Sequence, residues 1–586
     1  VPGTIQKILD SINPLRRQVI AGIKALPSFR LSTFRKVFSL MGQNEKIWLI
    51  TLAIIALASF AWSANNVYSG FTKPVPTLGG EYREGMLGQP RLINPLLAST
   101  DTDKALVRLI FSGLYKYDAQ GQIIPDLAES MPEISENQKQ YTVHLRQNAK
   151  WHNDKPVTAD DVIFTFKTLQ DTQYNSPLRS QLQSTLAEKK DDYTVTFSLK
   201  DVSGPFIHNL TMPLISKAVW ENVPPAEFAL SEGNLKAVGS GPYLIRELNK
   251  LPDGSVQNIK LESYSNYYTH QPYLDTVRLF FYNNYDEILG DLHGKQIQGF
   301  GFVPFDQSFF LDHNNKSLIT RDLPLPQYQA VFFNLSNRVL SDRYVRVALL
   351  YATDKDAIIK EAYNGNARVI AGPILPEQIP DVDNKSYYHP DEAKKLLDDA
   401  GWKVDSSTNI RAKGKTPLEF TITTNDFALN VKAAELLQKQ WEALNIKVHL
   451  STVPTKELTE TKIRPRQFDA LVFAQNVGAD PDPFVFWHSS QTKNPGLNLT
   501  GFANTAADKL INDARSTTNP EWRSNAYHAF QDLIIQESPA IFLDQSVYVY
   551  TVDKNMKGVG LQALFDPAFR FYDLQNWYRS ERRVLK

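Results

Sequence analysis

Residues 47–64 read IWLITLAIIALASFAWSA, eighteen residues without a charge, with Lys46 in front and no further charged side chain until Lys73. At about 1.5 Å per residue such a run makes roughly 27 Å of helix, close to the ~30 Å hydrocarbon core of a bilayer. The flanking charge is one-sided: Lys7, Arg16, Arg17, Lys24, Arg30, Arg35, Lys36 and Lys46 precede the run against only Asp10 and Glu45. The positive-inside rule then predicts residues 1–46 in the cytoplasm and the large remainder outside it, on a single-pass cell-membrane anchor. Trp48 and Trp62 stand near the two ends of the run, where an interfacial belt holds aromatics and where a buried soluble helix has no need of them. A cleaved signal peptide is the competing expectation, since Ala58, Ser59, Ala61, Ser63 and Ala64 supply small residues. The long segment ahead of the run argues against it, because signal peptides are typically ~15–30 residues in all. Upstream, Ile5, Ile8, Leu9, Ile12, Leu15, Val19, Ile20 and Ile23 follow helical spacing among basic residues, which predicts an amphipathic helix, either lying on the inner membrane face or solvated. The chain opens on Val1, so a longer natural start is expected.

A length of 586 residues predicts several domain-sized units, and 42% hydrophobic side chains suffice for buried cores. Lys+Arg and Asp+Glu balance at 63 each, which leaves no global basic footprint for nucleic acid. The absence of cysteine excludes disulfides, thiolate metal sites and thiol nucleophiles. The ten histidines form no HExxH and no close pair, no P-loop is present, and no spacing assembles a Ser-His-Asp triad. Neither catalysis nor a cofactor nor a metal is therefore expected.

Residues 71–80 (FTKPVPTLGG) are rich in proline and glycine and predict a tether within a linker over 65–79. Beyond it, 141–146 and 193–199 alternate as half-buried strands do. Thr158 with Asp161 marks the capped start of a helix over 158–169. Residues 417–424, 428–444 and 446–453 read as strand, helix and strand, which predicts a parallel βαβ unit. Further helices are expected after Pro390 and after Pro520, and strands over 469–475 and 540–551. Gly239 and Gly241 flank Ser240 ahead of a strand; the pattern is neither GxGxxG nor GxSxG and is explained by a tight backbone turn.

Six segments in order carry a resemblance: 93–131 (INPLLASTDTDKALVRLIFSGLYKYDAQGQIIPDLAESM), 141–167, 238–245 (VGSGPYLI), 332–359, 393–402 (AKKLLDDAGW) and 479–487 (ADPDPFVFW). Together they resemble the extracytoplasmic solute-binding proteins of ABC importers, family 5, the dipeptide/oligopeptide class. The resemblance implies a bilobal α/β fold of the periplasmic-binding-protein type (type II, large cluster C form). It implies a discontinuous first lobe at 80–325 and 541–586, with an extra subdomain at about 115–238, and a second lobe at 328–540, joined by two crossing strands. A solute bound between the lobes stabilises the closed form.

In peptide-binding members an extended peptide pairs with strand edges and its side chains fall into roomy pockets. By resemblance, Ser112 and Gly113 match the first-lobe edge, and Tyr115 is a candidate cleft aromatic. Leu471, Phe473, Ala474, Gln475 and Asn476 match the second-lobe edge, with Asp480 in the turn that follows. Tyr328 and Trp487 are candidate cleft aromatics. The family commonly carries an Asp four residues before the proline of this turn to grip a peptide amino terminus, and this chain has Val477 there. Asn476 or Asp480 substitutes, or the ligand lacks a free amine; the competing reading of Asp480 and Asp482 is a pair of turn caps. The resemblance implies a monomeric receptor serving an ABC permease and its ATPase. A non-transport sensor or scaffold of the same fold, with 1–46 touching a cytoplasmic partner, is the alternative.

Overall fold

The computed structural model describes residues 38–182, 185–302, 317–379, 381–382 and 385–586. The amphipathic helix expected within residues 5–24 lies outside them. Two compact units are present, one of residues 1–75 with 581–586 and one of residues 76–580.

In the smaller unit the apolar run belongs to a helix over Gln43–Phe71, 29 residues long with no buried residue. Thr72–Pro76 is a strand that pairs with Glu581–Leu585. The Lys586 amide donates to the Phe71 carbonyl at 3.0 Å. Arg583 fixes this ribbon: its Nε donates to Thr72 Oγ1 at 2.8 Å and its Nη2 to the Thr72 carbonyl at 3.0 Å, with Tyr68 beneath the guanidinium. The linker expected over 65–79 is therefore helix and strand across most of its length. Residues 65–71 contain no proline, so the helix started by the apolar run continues through Gly70 to Phe71, and the partner of strand 72–76 stands at the far end of the sequence. For the same reason the last residues of the 541–586 segment leave the first lobe and join the ribbon.

The larger unit is organised by an eleven-stranded sheet. Its strands are β1 (Glu81–Leu87), β2 (Tyr243–Lys250), β3 (Val256–Ser263), β4 (Thr276–Tyr282), β5 (Gly299–Gly301), β6 (Leu318–Phe333), β7 (Ala367–Val369), β8 (Glu419–Asn425), β9 (Lys447–Val453), β10 (Ala470–Asn476) and β11 (Ala540–Asp553). The spatial order is β9-β8-β10-β6-β11-β5-β1-β4-β3-β2, with β7 on β11. The expected βαβ unit is present: β8 and β9 pair in parallel, from Glu419↔Lys447 to Asn425↔Val453, and the helix Ala428–Glu442 connects them.

One end of the sheet belongs to the first lobe, whose core takes Tyr82, Leu106, Trp151, Phe166 and Leu261 together with Phe569 and Trp577 from late in the chain. The other end is packed on both faces, because successive strand side chains point to opposite sides. On β6, Val331 and Phe333 join Leu437 and Trp441 of helix 428–442. Ala330 and Phe332 join Ile511, Phe530 and Ile534 of the helices Thr505–Arg515 and Pro520–Glu537. This second lobe is thus a three-layer helix–sheet–helix sandwich.

Only β6 and β11 contribute to the cores of both lobes among the eleven strands. They pair antiparallel from Leu318↔Asp553 to Phe332↔Ala540. Leu323, Leu325, Tyr548 and Tyr550 pack in the first lobe, Ile541 and Leu543 in the second. Their ladder is interrupted between Pro324 and Tyr328. Pro324 and Pro326 have no amide hydrogen to give, so the strands lose bonds where they pass between lobes. The Gly239–Gly241 turn packs on the end of the helix Asp101–Ile110: a Cβ at Gly239 would stand 1.9 Å from the Ile110 carbonyl oxygen, and the Gly241 amide donates to that oxygen at 2.8 Å. The close approach explains both glycines without a ligand.

A buried carboxyl sits on the second-lobe half of β11. Asp544 is 2% exposed, faces Gln329 across the ladder, and has one oxygen without a hydrogen-bond partner. Burial pushes its carboxyl up to about 7, against the opposing attraction of Lys355. Its pKa in the fold lies above that of the unfolded chain, about 3.9. The stability it permits is therefore complete below pH ~4 and is lost as pH rises through about 7, by a few kcal/mol for a fully buried group. Thermal melts between pH 4.5 and 8 are expected to show this fall, and Asp544→Asn to flatten it.

Candidate functional site

The second-lobe candidate begins on β10. One edge of this strand pairs with β6 along its whole length, from Phe333↔Ala470 to Gln327↔Asn476. The other pairs with β8 only at Ile422↔Ala470 and Thr423↔Leu471. Past Leu471 that edge has no strand partner among the described residues, apart from the Thr424 hydroxyl donating to the Val472 carbonyl at 3.2 Å. Unpaired strand backbone of this kind is what an extended peptide can add to.

The side chains of β10 differ in burial. Leu471 is fully buried in the second-lobe core and Gln475 is 7% exposed, whereas Phe473 and Ala474 are half-buried and Asn476 is exposed. Gln475 Oε1 accepts from Tyr328 Oη at 2.7 Å, and Trp487 Nε1 donates to the same hydroxyl at 3.4 Å. Tyr328 and Trp487 are 0% and 1% exposed. The two rings and the Gln475 amide satisfy one another inside the core, with Leu471 beside them.

Ser112, Gly113 and Tyr115 come together on a cavity of about 280 Å³. Its lining is drawn from first-lobe residues, Lys116, Tyr267, Asp566 and Tyr572 among them. The expected free edge is not what this segment offers. The Ser112 carbonyl accepts from the Leu214 amide at 2.9 Å, and the Gly113 carbonyl from the Leu127 amide at 3.0 Å. Gly113 permits the crowding, since a Cβ there would lie 2.6 Å from the Thr211 carbonyl oxygen. Below it, Tyr268 Oη stands 2.9 Å from Ser112 Oγ and 2.7 Å from Asp126 Oδ1. Lys116 Nζ is 2.9 Å from the same Asp126 oxygen. Burial alone would lower the Lys116 ammonium, but Asp126 outweighs it and holds the lysine above its usual range. Tyr115 is buried, with its hydroxyl donating to the Ser130 carbonyl at 3.2 Å.

A larger cavity, about 550 Å³, has walls from both lobes: Gln122, Tyr141 and Ile207 from the first, Gln378, Ala479 and Tyr527 from the second. Asp480, between the lining residues Ala479 and Pro481, stands behind this wall, against the lining residues His208 and Arg523. Both Asp480 oxygens lie 2.9 Å from Arg523 Nη2, and Oδ2 lies 2.7 Å from His208 Nε2. Oδ1 also accepts the Asp482 amide at 2.8 Å, and Asp482 Oδ1 accepts the Phe484 amide at 3.1 Å, so the turn-cap reading of both aspartates holds alongside the ion pairs. Burial by itself would raise the Asp480 carboxyl; the His208 and Arg523 contacts overcome it and hold it well below the usual carboxylate range. Asn476 is spent on its own turn, its Oδ1 accepting from the Gly478 amide at 3.0 Å.

His208 and Arg523 were not singled out by sequence. Arg523 carries a recoverable signal, lying in the first turns of the helix after Pro520, but nothing local in FIHNL points His208 across to Asp480. No group of His, Asp and Glu able to hold a metal ion occurs among the described residues.

The Gly113 crowding is directly testable. Gly113→Ala sets a methyl group against backbone oxygens that cannot rotate away, and is expected to cost about 1–3 kcal/mol as an overpacking change, read from chemical denaturation midpoints.

The fold and these sites meet a matching family. The model of the bacterial extracellular solute-binding proteins, family 5, matches residues 122–496. Among curated proteins, the chain is 29% identical over 543 residues to the oligopeptide-binding protein AppA of Bacillus subtilis, covering 91% of this chain and 98% of that one. It is 27% identical over 503 residues to the dipeptide-binding protein of Escherichia coli, covering 80% and 90% of the two chains. The solved structure of Bacillus subtilis AppA in complex with a nonapeptide superposes with a TM-score of 0.67 at 29% identity, covering 86% of this chain and 100% of that one. With more than half of its length matched in the order of the family, the chain belongs to the family 5 bacterial extracellular solute-binding proteins.

Proposed function

We propose that this chain is a membrane-anchored receptor that captures peptides between its two lobes, outside the cytoplasm, and delivers them to an ABC permease and its ATPase. The observations that carry the reading are an edge of β10 without a strand partner among the described residues, a cavity walled by both lobes, and a pair of strands that alone among the sheet strands joins their cores. An extended peptide laid on Phe473 to Asn476 receives main-chain hydrogen bonds whatever its sequence, while a cavity of about 550 Å³ leaves room for its side chains beside water. That pairing is also the chemistry expected of a protein related to oligopeptide- and dipeptide-binding proteins. Ligand that touches both lobes stabilises the closed form only by the contacts it gains there, and closure is what a permease reads.

A panel of di- to decapeptides added to the full chain in detergent is expected to raise its melting temperature for at least the longer members, since ligand bound only by the folded state stabilises by mass action. A shift with a sugar or a chelate and none with any peptide refutes the ligand class.

The helix Gln43–Phe71 supports the anchor: it has a mean hydropathy of 2.1 over its most apolar window and buries nothing in the protein. The body attached to it is expected to remain with membranes through an alkaline carbonate wash and to be open to protease added outside the cytoplasmic membrane. Release by carbonate refutes the anchor and leaves the receptor reading intact.

A further inference from the structure

Asp480 stands just beyond the partnerless edge of β10, behind the lining residues His208 and Arg523 of the larger cavity, and is the acidic group there to which a cationic end of a bound chain would be drawn. Its acceptor capacity is already used. A carboxylate offers about four lone-pair sites. Arg523 reaches both oxygens, the Asp482 amide takes Oδ1, and His208 takes Oδ2 at 2.7 Å. His208 comes from the other lobe, on the short helix Phe206–Asn209, and is steadied from behind by the Tyr117 hydroxyl, 2.9 Å from its Nδ1. Its ring packs 5.8 Å from that of Tyr117. The carboxylate that lines the cavity, Glu377, is likewise engaged, by Arg368 at 3.0 Å and by the Gln545 amide at 2.8 Å.

We infer that His208 fills, on Asp480, the place a ligand ammonium group would take, so that the receptor accepts peptides without reading a free amino terminus at this point. The inference rests on the peptide-receptor reading and sharpens its substrate class to chains whose amino end is blocked or lies away from Asp480. An entering ammonium would have to displace His208, break its bond to Tyr117 and separate two half-buried, hydrogen-bonded partners, at the cost of those bonds. The same contact ties the lobes: beside it the Gly204 amide donates to the Arg515 carbonyl at 2.7 Å, and Thr518 donates through its amide and hydroxyl to Gln138 Oε1 at 3.1 and 2.9 Å. The group that bridges the lobes at Asp480 is thus supplied by the protein.

The test uses the full chain in detergent with a random-sequence hexapeptide mixture and the same mixture N-acetylated, each titrated calorimetrically. For the unaltered protein the two affinities are expected to agree within about threefold. His208→Ala frees Asp480 Oδ2 and is expected to move the ratio toward the free-amine mixture by roughly fivefold or more. His208→Gln, whose amide donates from nearly the same place, is expected to keep the original ratio. A preference of the unaltered protein for free amines above about tenfold overturns the inference while leaving the peptide receptor standing. A ratio identical in all three proteins removes the role of His208. Binding of neither mixture overturns the inference together with the reading beneath it. If the alanine variant does not fold, the unaltered protein and His208→Gln still decide.

Discussion

The antiparallel pairing of β6 with β11 is the constraint on which the larger unit depends. Each lobe has its own core, but these two strands alone among the sheet strands carry side chains into both. Their outer halves are held rigidly by packing, Leu323 and Tyr548 in one lobe, Val331 and Ile541 in the other. Between Pro324 and Tyr328 the ladder slips and two residues lack an amide hydrogen. Stiff ends with a weakened middle concentrate any bending at one place, the arrangement that hinge motion requires. The lobes are thereby free to approach one another without disturbing either core.

Electrostatics secures the two sides of this hinge in different ways. In the first lobe Glu84 is completely buried, with Arg570 Nε 2.7 Å from one oxygen and the Tyr82 and Tyr550 hydroxyls each 2.7 Å from the other. Tyr550 stands on β11, so this buried ion pair nails the hinge strand to β1 and to the late segment around residue 570. Such a pair adds little net stability over a hydrophobic substitute, but loss of one partner is severe, and it fixes a unique arrangement of the strands. Between the lobes the contacts are of another kind: Asp480 with Arg523 lies within one lobe, and His208 reaches it from the other. The lobes meet there through a few polar contacts, His208 with Asp480, Gly204 with Arg515 and Thr518 with Gln138, in place of a fully buried ion network.

The parts of the fold legible in the sequence were those set by local chemistry. The βαβ unit at 419–453 shows its strand and helix periods directly, and Thr158 with Asp161 starts its helix as expected, the Asp161 carboxylate accepting the Thr158 amide at 3.0 Å. The bilobal architecture was legible through resemblance, as the order of six segments. What escaped were pairings over long separations. The carbonyls of Ser112 and Gly113 look free in sequence and are taken by residues 214 and 127. Tyr328, Gln475 and Trp487 are polar-capable side chains that a site would welcome, and the fold uses them to satisfy one another in the core. His208 is one of ten histidines, and only the fold sets it against Asp480.

The ribbon beside the apolar helix has a temporal side. Thr72 and Arg583 are 511 residues apart in the chain, so on a ribosome the first strand emerges and must wait for its partner on the order of a minute at bacterial elongation rates. During that interval its backbone groups are satisfied by water alone, and the lobes have time to fold before the ribbon can close. A polypeptide cut short anywhere between residues 76 and 581 therefore leaves strand 72–76 without the partner that closes the ribbon.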